Sequence, residues 1–264
     1  MAIMFESNRP DGVGLYLMSA DGRRVMSLVQ LGLGARTGDW SPDGHRIVFM
    51  KFSDFQIWLA NADGSDPVQL THSPGGSQEP KWSPDGTTIS YMNNDDPFDE
   101  VIKAVNIDGS GVRRLPNTSG TYGSHDWSPD GRSIVFSKAT GLFVADIAGA
   151  GLVRLTTNTS CGDLQPAWSP DGTKVAFASC VDNKVAIYVI GADGSNLTRL
   201  TSGLSIDYGP TWSPDSRKIA LQSEGAGNLD VWVMDADGSH AVNLTASNPN
   251  FDRAPKWKSV LVAE

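Results

Sequence analysis

Apolar residues along the chain come in short continuous runs separated by polar turns, and helical spacing appears nowhere convincingly. Runs such as Ile47-Val48-Phe49, Ile89-Ser90-Tyr91, Ile134-Val135-Phe136, Val175-Ala176-Phe177 and Ile219-Ala220-Leu221 read as strands covered on both faces. A second set, Ile57-Trp58-Leu59, Leu142-Phe143-Val144, Ile187-Tyr188-Val189 and Val231-Trp232-Val233, predicts another strand after each. Ahead of each first run stands Trp-Ser-Pro-Asp, at Trp40, Trp82, Trp127, Trp168 and Trp212, with a last Trp257 that lacks the turn. Pro fixes φ at the second position of that turn and Gly accepts positive φ at its end, which predicts a hairpin.

The Trp landmarks are 42, 45, 41, 44 and 45 residues apart. A second landmark is a turn seven residues ahead of a Leu: Asp21 and Leu28, Asp63 and Leu70, Asp108 and Leu115, Asp193 and Leu200, Asp237 and Leu244, with Ala148 and Leu155 in the remaining repeat. Four short strands per period of this size predict propeller blades. Ile3-Met4-Phe5 aligns with the second strand of the other repeats, while Trp257 ends a first strand with no partner after it. The two ends therefore complete one blade, giving an all-β, six-bladed propeller over residues 1–264. Blades start near 36, 78, 123, 164 and 208, and the closing blade is made of 253–264 plus 1–30. Closure protects sheet edges.

Repeats of the form seen from Asp163 to Phe177, with Pro166, Trp168, Ser169, Pro170, Asp171 and Gly172, resemble the WD40-like repeats of TolB-type β-propellers. The resemblance covers essentially the whole chain and implies a six-bladed ring. It does not fix a function, because such rings serve as binding factors, peptidase gates, lectins and lyases. The extra N-terminal domain and the signal of TolB-like proteins have no counterpart in the given residues.

Charge and composition narrow the partners. With 21 basic and 30 acidic residues the net charge is −9, the wrong sign for neutralising phosphates, so nucleic acid is not expected. No apolar stretch reaches the roughly 18 residues of a membrane helix, and residues 1–7 do not resemble a signal peptide. No membrane insertion is expected, and a monomer is.

The turn Asp residues, Asp43, Asp85, Asp130, Asp171 and Asp215, read as turn formers, and the repeated Trp as blade-to-blade packing. Function falls on the opposite face, whose loops vary. Five residues before each Trp stand Ala35, Ser77, Tyr122, Asp163, Asp207 and Asp252. The three carboxylates make half of the channel mouth acidic, a place for cationic groups of a partner or for calcium; alternatively each Asp caps its own loop. The loop Asn93 to Glu100 is acidic, with Phe98 suited to a protein contact.

Counting residues outward from the Ser169-Pro170-Asp171-Gly172 turn pairs 168 with 173 and sets Cys161 opposite Cys180. That placement predicts a disulfide and an oxidising compartment, periplasmic or secreted. Sequence motifs of hydrolases, zinc enzymes and phosphate loops are absent. His45 and His240 fall beside turns, and His72 and His125 are expected at the surface of the variable face. The favoured reading is a non-catalytic propeller without a cofactor that binds a protein or peptide through Asp163, Asp207 and Asp252. A carbohydrate-binding or lyase propeller, with Tyr122, Tyr208 and His125 lining a pocket, is the alternative. A propeller cut from a larger protein such as a peptidase is another.

Overall fold

The two-faced apolar runs become the second strand of each blade, and everything else is built outward and inward from them. In the computed structural model, residues 1–10, 12–28, 34–96, 99–157, 162–181, 184–202, 205–225 and 227–258 are described. Strands β1 (Ala2–Arg9), β2 (Gly12–Ser19) and β3 (Val25–Ser27) open the chain. Blade 1 follows with β4 (Ala35–Trp40), β5 (Arg46–Lys51), β6 (Gln56–Asn61) and β7 (Val68–Gln69). Blade 2 is β8 (Ser77–Trp82) to β11 (Arg113–Arg114), and blade 3 is β12 (His125–Trp127) to β15 (Leu152–Arg154). Blade 4 runs from β16 (Asp163–Trp168) through β17 (Lys174–Val181) and β18 (Lys184–Gly191) to β19 (Thr198–Arg199). Blade 5 runs from β20 (Asp207–Trp212) to β23 (Val242–Asn243), and β24 (Asp252–Trp257) ends the described chain.

Each of the six sheets has four strands in meander order, and the sixth has the order β24-β1-β2-β3, so the two ends do share a blade. In that sheet Ile3 lies opposite Trp257. The inner strands β4, β8, β12, β16, β20 and β24 touch in succession, and β24 touches β4. The architecture is a closed six-bladed ring.

Period-2 alternation explains how a run without polar gaps is used. Ile47 and Phe49 pack with Met4 and Leu15 of the closing blade, whereas Val48 and Met50 pack with Trp82 and Tyr91 of blade 2. The other interfaces repeat this pattern: Ile134 and Phe136 face blade 2, Val135 faces blade 4. Every inter-blade cluster includes the Trp of the following blade, with Trp168 more exposed than the rest.

The hairpin register differs from the expected one. Trp168 lies opposite Val175, not residue 173, and Trp40 lies opposite Ile47 in the same way. The connection holds four residues because two side chains close it from inside. In blade 1 the Ser41 hydroxyl donates to Asp43 Oδ1 and accepts the Arg46 N–H, while Asp43 Oδ1 also accepts the His45 N–H. The same pattern recurs around Asp85, Asp130, Asp171 and Asp215. Gly44 takes φ 68°; Ser216, which replaces that glycine in blade 5, takes φ 59°, and its hydroxyl oxygen accepts the Asp171 N–H at 3.1 Å.

Two predictions follow from this packing. Trp212→Ala should cost about 3–5 kcal/mol in urea unfolding, since it empties the blade 4–blade 5 interface. Hydrogen bonds from Ser hydroxyls and backbone N–H groups hold Asp43, Asp85, Asp130 and Asp215 below the usual carboxylate range. A lowered folded-state value stabilises above the unfolded value and is lost as pH falls through the folded one. Melting temperature should therefore drop below about pH 4, and the drop should be shallower when these four are Asn.

Candidate functional site

Five of the six inner strands, all but β12, carry a bulge that decides what faces the channel. In blade 4, Leu164 lies opposite Ala178 and Ala167 opposite Ala176, so the inner strand holds one residue more than its partner. Blades 1, 2 and 5 shift register at the same place. The residue three before the Trp takes positive φ: Thr37 42°, Glu79 49°, Gln165 52°, Gly209 59° and Ala254 50°. These five residues, together with Ser124, line a funnel of about 360 Å³ on the variable face. The residues immediately before the Trp, Asp39, Asp126, Ala167, Thr211 and Lys256, line a second funnel of about 340 Å³ on the Ser-Pro turn face, with the Trp and Pro side chains around them. Lys256 is shared by both, and Lys81 belongs to the first.

The extra residue also moves the expected site. Asp163, Asp207 and Asp252 are buried and are not among the funnel-lining residues. Asp163 accepts hydrogen bonds from the Thr156 and Ser179 hydroxyls, the latter at 2.6 Å. Asp207 accepts from Ser205 and Ser223 at 2.8 and 2.6 Å, and Asp252 from Arg9 and Asn248 at 3.0 and 2.9 Å. These contacts tie the start of each inner strand to its neighbouring loops through side-chain donors, not through the backbone N–H groups of the capping alternative.

Tyr122 is 60% exposed on the variable face. Tyr208 is partly buried against the blade 4–blade 5 cluster. His125 is not at the surface: it is fully buried in β12, with Nε2 2.7 Å from the Ser90 hydroxyl, because it occupies the position that is Pro in blades 2, 4 and 5. Burial first, and then the charges of Lys81 and Lys256, push its pKa well below the ordinary value. Phe98 and Cys161 lie outside the described residues. Cys180 stands one position beyond Ser179, which lies opposite Asp163, and no free cysteine occurs among the described residues. In the acidic loop, Asp95 is tied to Lys103 at 2.7 Å and Asp99 to Arg114 at 3.0 Å, so two of its charges are answered by blade 2.

The funnel's wall has the opposite balance from the expected acidic mouth. Arg36, Lys81, Arg253 and Lys256 line it against Glu6 and Glu79. Glu6 is already engaged, accepting the Thr37 N–H at 2.7 Å and Arg253 Nε at 3.0 Å. Burial raises the Glu79 pKa. At the rim, Phe52 and Phe55 are 47% and 43% exposed with ring centroids 5.1 Å apart, and the Arg36 guanidinium sits 4.4 Å over Phe52. None of these residues stands at the fifth position before a Trp of the repeat, where the charge pattern places the expected site. The signal was present: the third and first positions before it vary from repeat to repeat while the Trp-Ser-Pro frame stays fixed.

Side chains also stitch blade to blade. Asp39 accepts the Trp82 N–H at 2.9 Å, and Asp126 accepts the Trp168 N–H at 2.7 Å. Gln165 and Gln222 use their carbonyl oxygens on the N–H groups of Gly209 and Ala254, at 2.9 and 2.8 Å. No cluster of three or more His, Cys, Asp or Glu placed to hold a metal ion occurs among the described residues, and no helix of the described residues is long and apolar enough to cross a membrane.

A closed ring of six meander blades around a two-ended channel defines a six-bladed β-propeller. The family profile described as "TolB beta propeller domain" matches residues 1–130, 37–157 and 124–260, and the chain belongs to this TolB β-propeller family. Among solved structures, TolB from Acinetobacter baumannii is similar at TM-score 0.85 and 20% identity, over 97% of this chain and 66% of that one; the chain thus spans just under two thirds of that protein. A putative TolB from Agrobacterium tumefaciens is similar at TM-score 0.74 and 20% identity, over 96% of both chains. An oligogalacturonate lyase in complex with manganese matches at TM-score 0.65 and 14% identity, over 91% of this chain and 73% of that one. At these identities the likeness is one of fold. No curated protein matches the chain in sequence.

Asp126→Ala should lower stability by about 1–3 kcal/mol in urea unfolding, because it leaves the Trp168 N–H without its acceptor. Asp39→Ala should do the same for Trp82.

Proposed function

We propose that the chain is a non-catalytic recognition propeller that binds a protein or peptide on its variable face, with part of the partner entering the funnel. The observation that carries this reading is the combination of a preformed funnel of about 360 Å³ with an exposed Phe52–Phe55 pair and Arg36 at its rim. Exposed aromatic residues and Arg are the side chains enriched where proteins meet, and a rigid ring presents them at little ordering cost. Four basic side chains against two acidic ones favour an acidic partner segment. Membership of the TolB propeller family supports protein binding as the general role. A periplasmic or secreted location goes with that family likeness and with a Cys161–Cys180 bridge, both of which are parts of the proposal.

Selection of peptides from a random displayed library on the purified chain tests the reading. Acid-containing peptides should be enriched, and Phe52→Ser combined with Phe55→Ser should weaken them at least tenfold without changing the melting temperature. Failure to enrich any peptide, or equal binding by the double variant, sinks it. Asp163→Asn with Asp207→Asn and Asp252→Asn separates the two roles of that trio: lost capture at unchanged stability would make them partner ligands, and lost stability would make them caps. For the bridge, mass spectrometry after alkylation of the native, unreduced protein should find no modified thiol; two modified thiols would exclude it.

A further inference from the structure

Between the two funnels the channel carries a belt formed by the residue ahead of each Trp: Asp39, Lys81, Asp126, Ala167, Thr211 and Lys256. Its charged members come from four consecutive blades, and its neutral members from the other two. Lys81 is 3% exposed and Lys256 is partly buried, and their side chains interact directly. The ion pairs within 4 Å among the described residues all lie elsewhere. Asp39 and Asp126 act on both lysines from a longer distance while each accepts a backbone N–H of the next blade.

Two amines side by side with no contacting counter-ion is an arrangement that costs energy unless something relieves it. Part of the relief is a weaker hold of Lys256 on its proton. Burial, followed by the charge of Lys81, lowers the Lys256 pKa to about 8, while Asp126, Asp39 and Glu79 outweigh burial to keep Lys81 above its ordinary value. A bound anion would relieve the pair in the other way, by supplying the missing counter-charge.

The surroundings supply donors rather than acceptors. Gln165 and Gln222 line the first funnel, and each has given its carbonyl oxygen to a backbone N–H, which leaves the amide N–H groups for the funnel. Arg36 Nε is buried without a hydrogen-bond partner. Glu6 is neutralised by Arg253. We propose that the Lys81–Lys256 pair, with the amides of Gln165 and Gln222 above it, is a binding site for a single carboxylate group that enters through the variable-face funnel. A carboxylate is favoured over a doubly charged phosphate because Asp39, Asp126 and Glu79 all face the pair, so a second negative charge is repelled. The carboxylate could be carried by the docked partner segment of the proposed function or be a free small acid. The inference therefore extends that reading but does not need a partner in order to be tested.

Calorimetric titration of the full chain at pH 8 compares three probes at matched ionic strength: acetate, acetyl-tetraglycine with a free C-terminus, and the same peptide amidated. Binding of acetate would support a site for free acids; binding of the free-terminus peptide alone would support a site for a chain end. In either case Lys81→Met and Lys256→Met should each weaken binding about tenfold, and Glu79→Gln should strengthen it. Heats measured in two buffers of different protonation enthalpy should show proton uptake on binding, since the anion returns Lys256 to its charged form. Absence of binding by both carboxylates, equal binding of the amidated peptide, or undiminished binding in both lysine variants overturns the site. Should a lysine variant fail to fold, NMR titration of Lys256 in the unaltered chain decides: a midpoint raised by acetate supports the site, and an unmoved midpoint overturns it. Loss of peptide selection at the Phe52–Phe55 rim with acetate binding intact would fail the proposed function alone, and the reverse result would fail only the carboxylate site.

Discussion

Closure of the ring is the constraint on which the rest of this structure depends. A propeller blade buries both faces, so each second strand is mostly apolar, with the hydrogen-bonded Ser90 of blade 2 an exception, and each interface needs a large side chain to fill the wedge between twisted sheets. The repeated Trp meets that need six times, and at the seam Trp257 on β24 does so opposite Ile3 on β1. Without that last pairing two blade edges and an entire interface would be exposed.

The same closure creates the channel and limits what can line it. Six inner strands converge, and five of them are bent by a one-residue bulge at a position of positive φ, from Thr37 to Ala254; β12 of blade 3 pairs without a shift. The bulge spaces the side chains into two levels, one ring opening to the variable face and one to the turn face. Buried polar and charged side chains there are tolerable because part of them is structural: Asp39, Asp126, Gln165 and Gln222 carry hydrogen bonds across the blade boundaries that strand pairing cannot reach. Lys81 and Lys256 are left without such a task, and that imbalance distinguishes them from Asp39 and Asp126, the other charged residues of the belt.

Much of the fold was legible in the chain itself. The spacing of Trp40, Trp82, Trp127, Trp168, Trp212 and Trp257 gave the blade number, the aligned ends gave the seam, and Ser-Pro-Asp gave the hairpins. The site was legible only in part. Asp163, Asp207 and Asp252 were conspicuous as charges, yet the bulge turns the residue five before the Trp toward its own blade. His125 looked like a loop residue because its neighbours are Gly123 and Ser124, and it is buried because it fills the place of a proline at a strand already committed to the interior.

Sequence by itself determined the periodicity, the turn chemistry and the two-sided burial, since each depends on residues a few positions apart and on local rules of dihedral angle and alternation. Tertiary structure alone decided which side chains share the channel. Lys81 and Lys256 are 175 positions apart in the chain and four blades apart by sequence, yet two blades apart around the closed ring. Their encounter, and the displacement of the expected acidic mouth by a donor-rich funnel, follow from a register shift of one residue and from ring closure, neither of which leaves a local trace in composition.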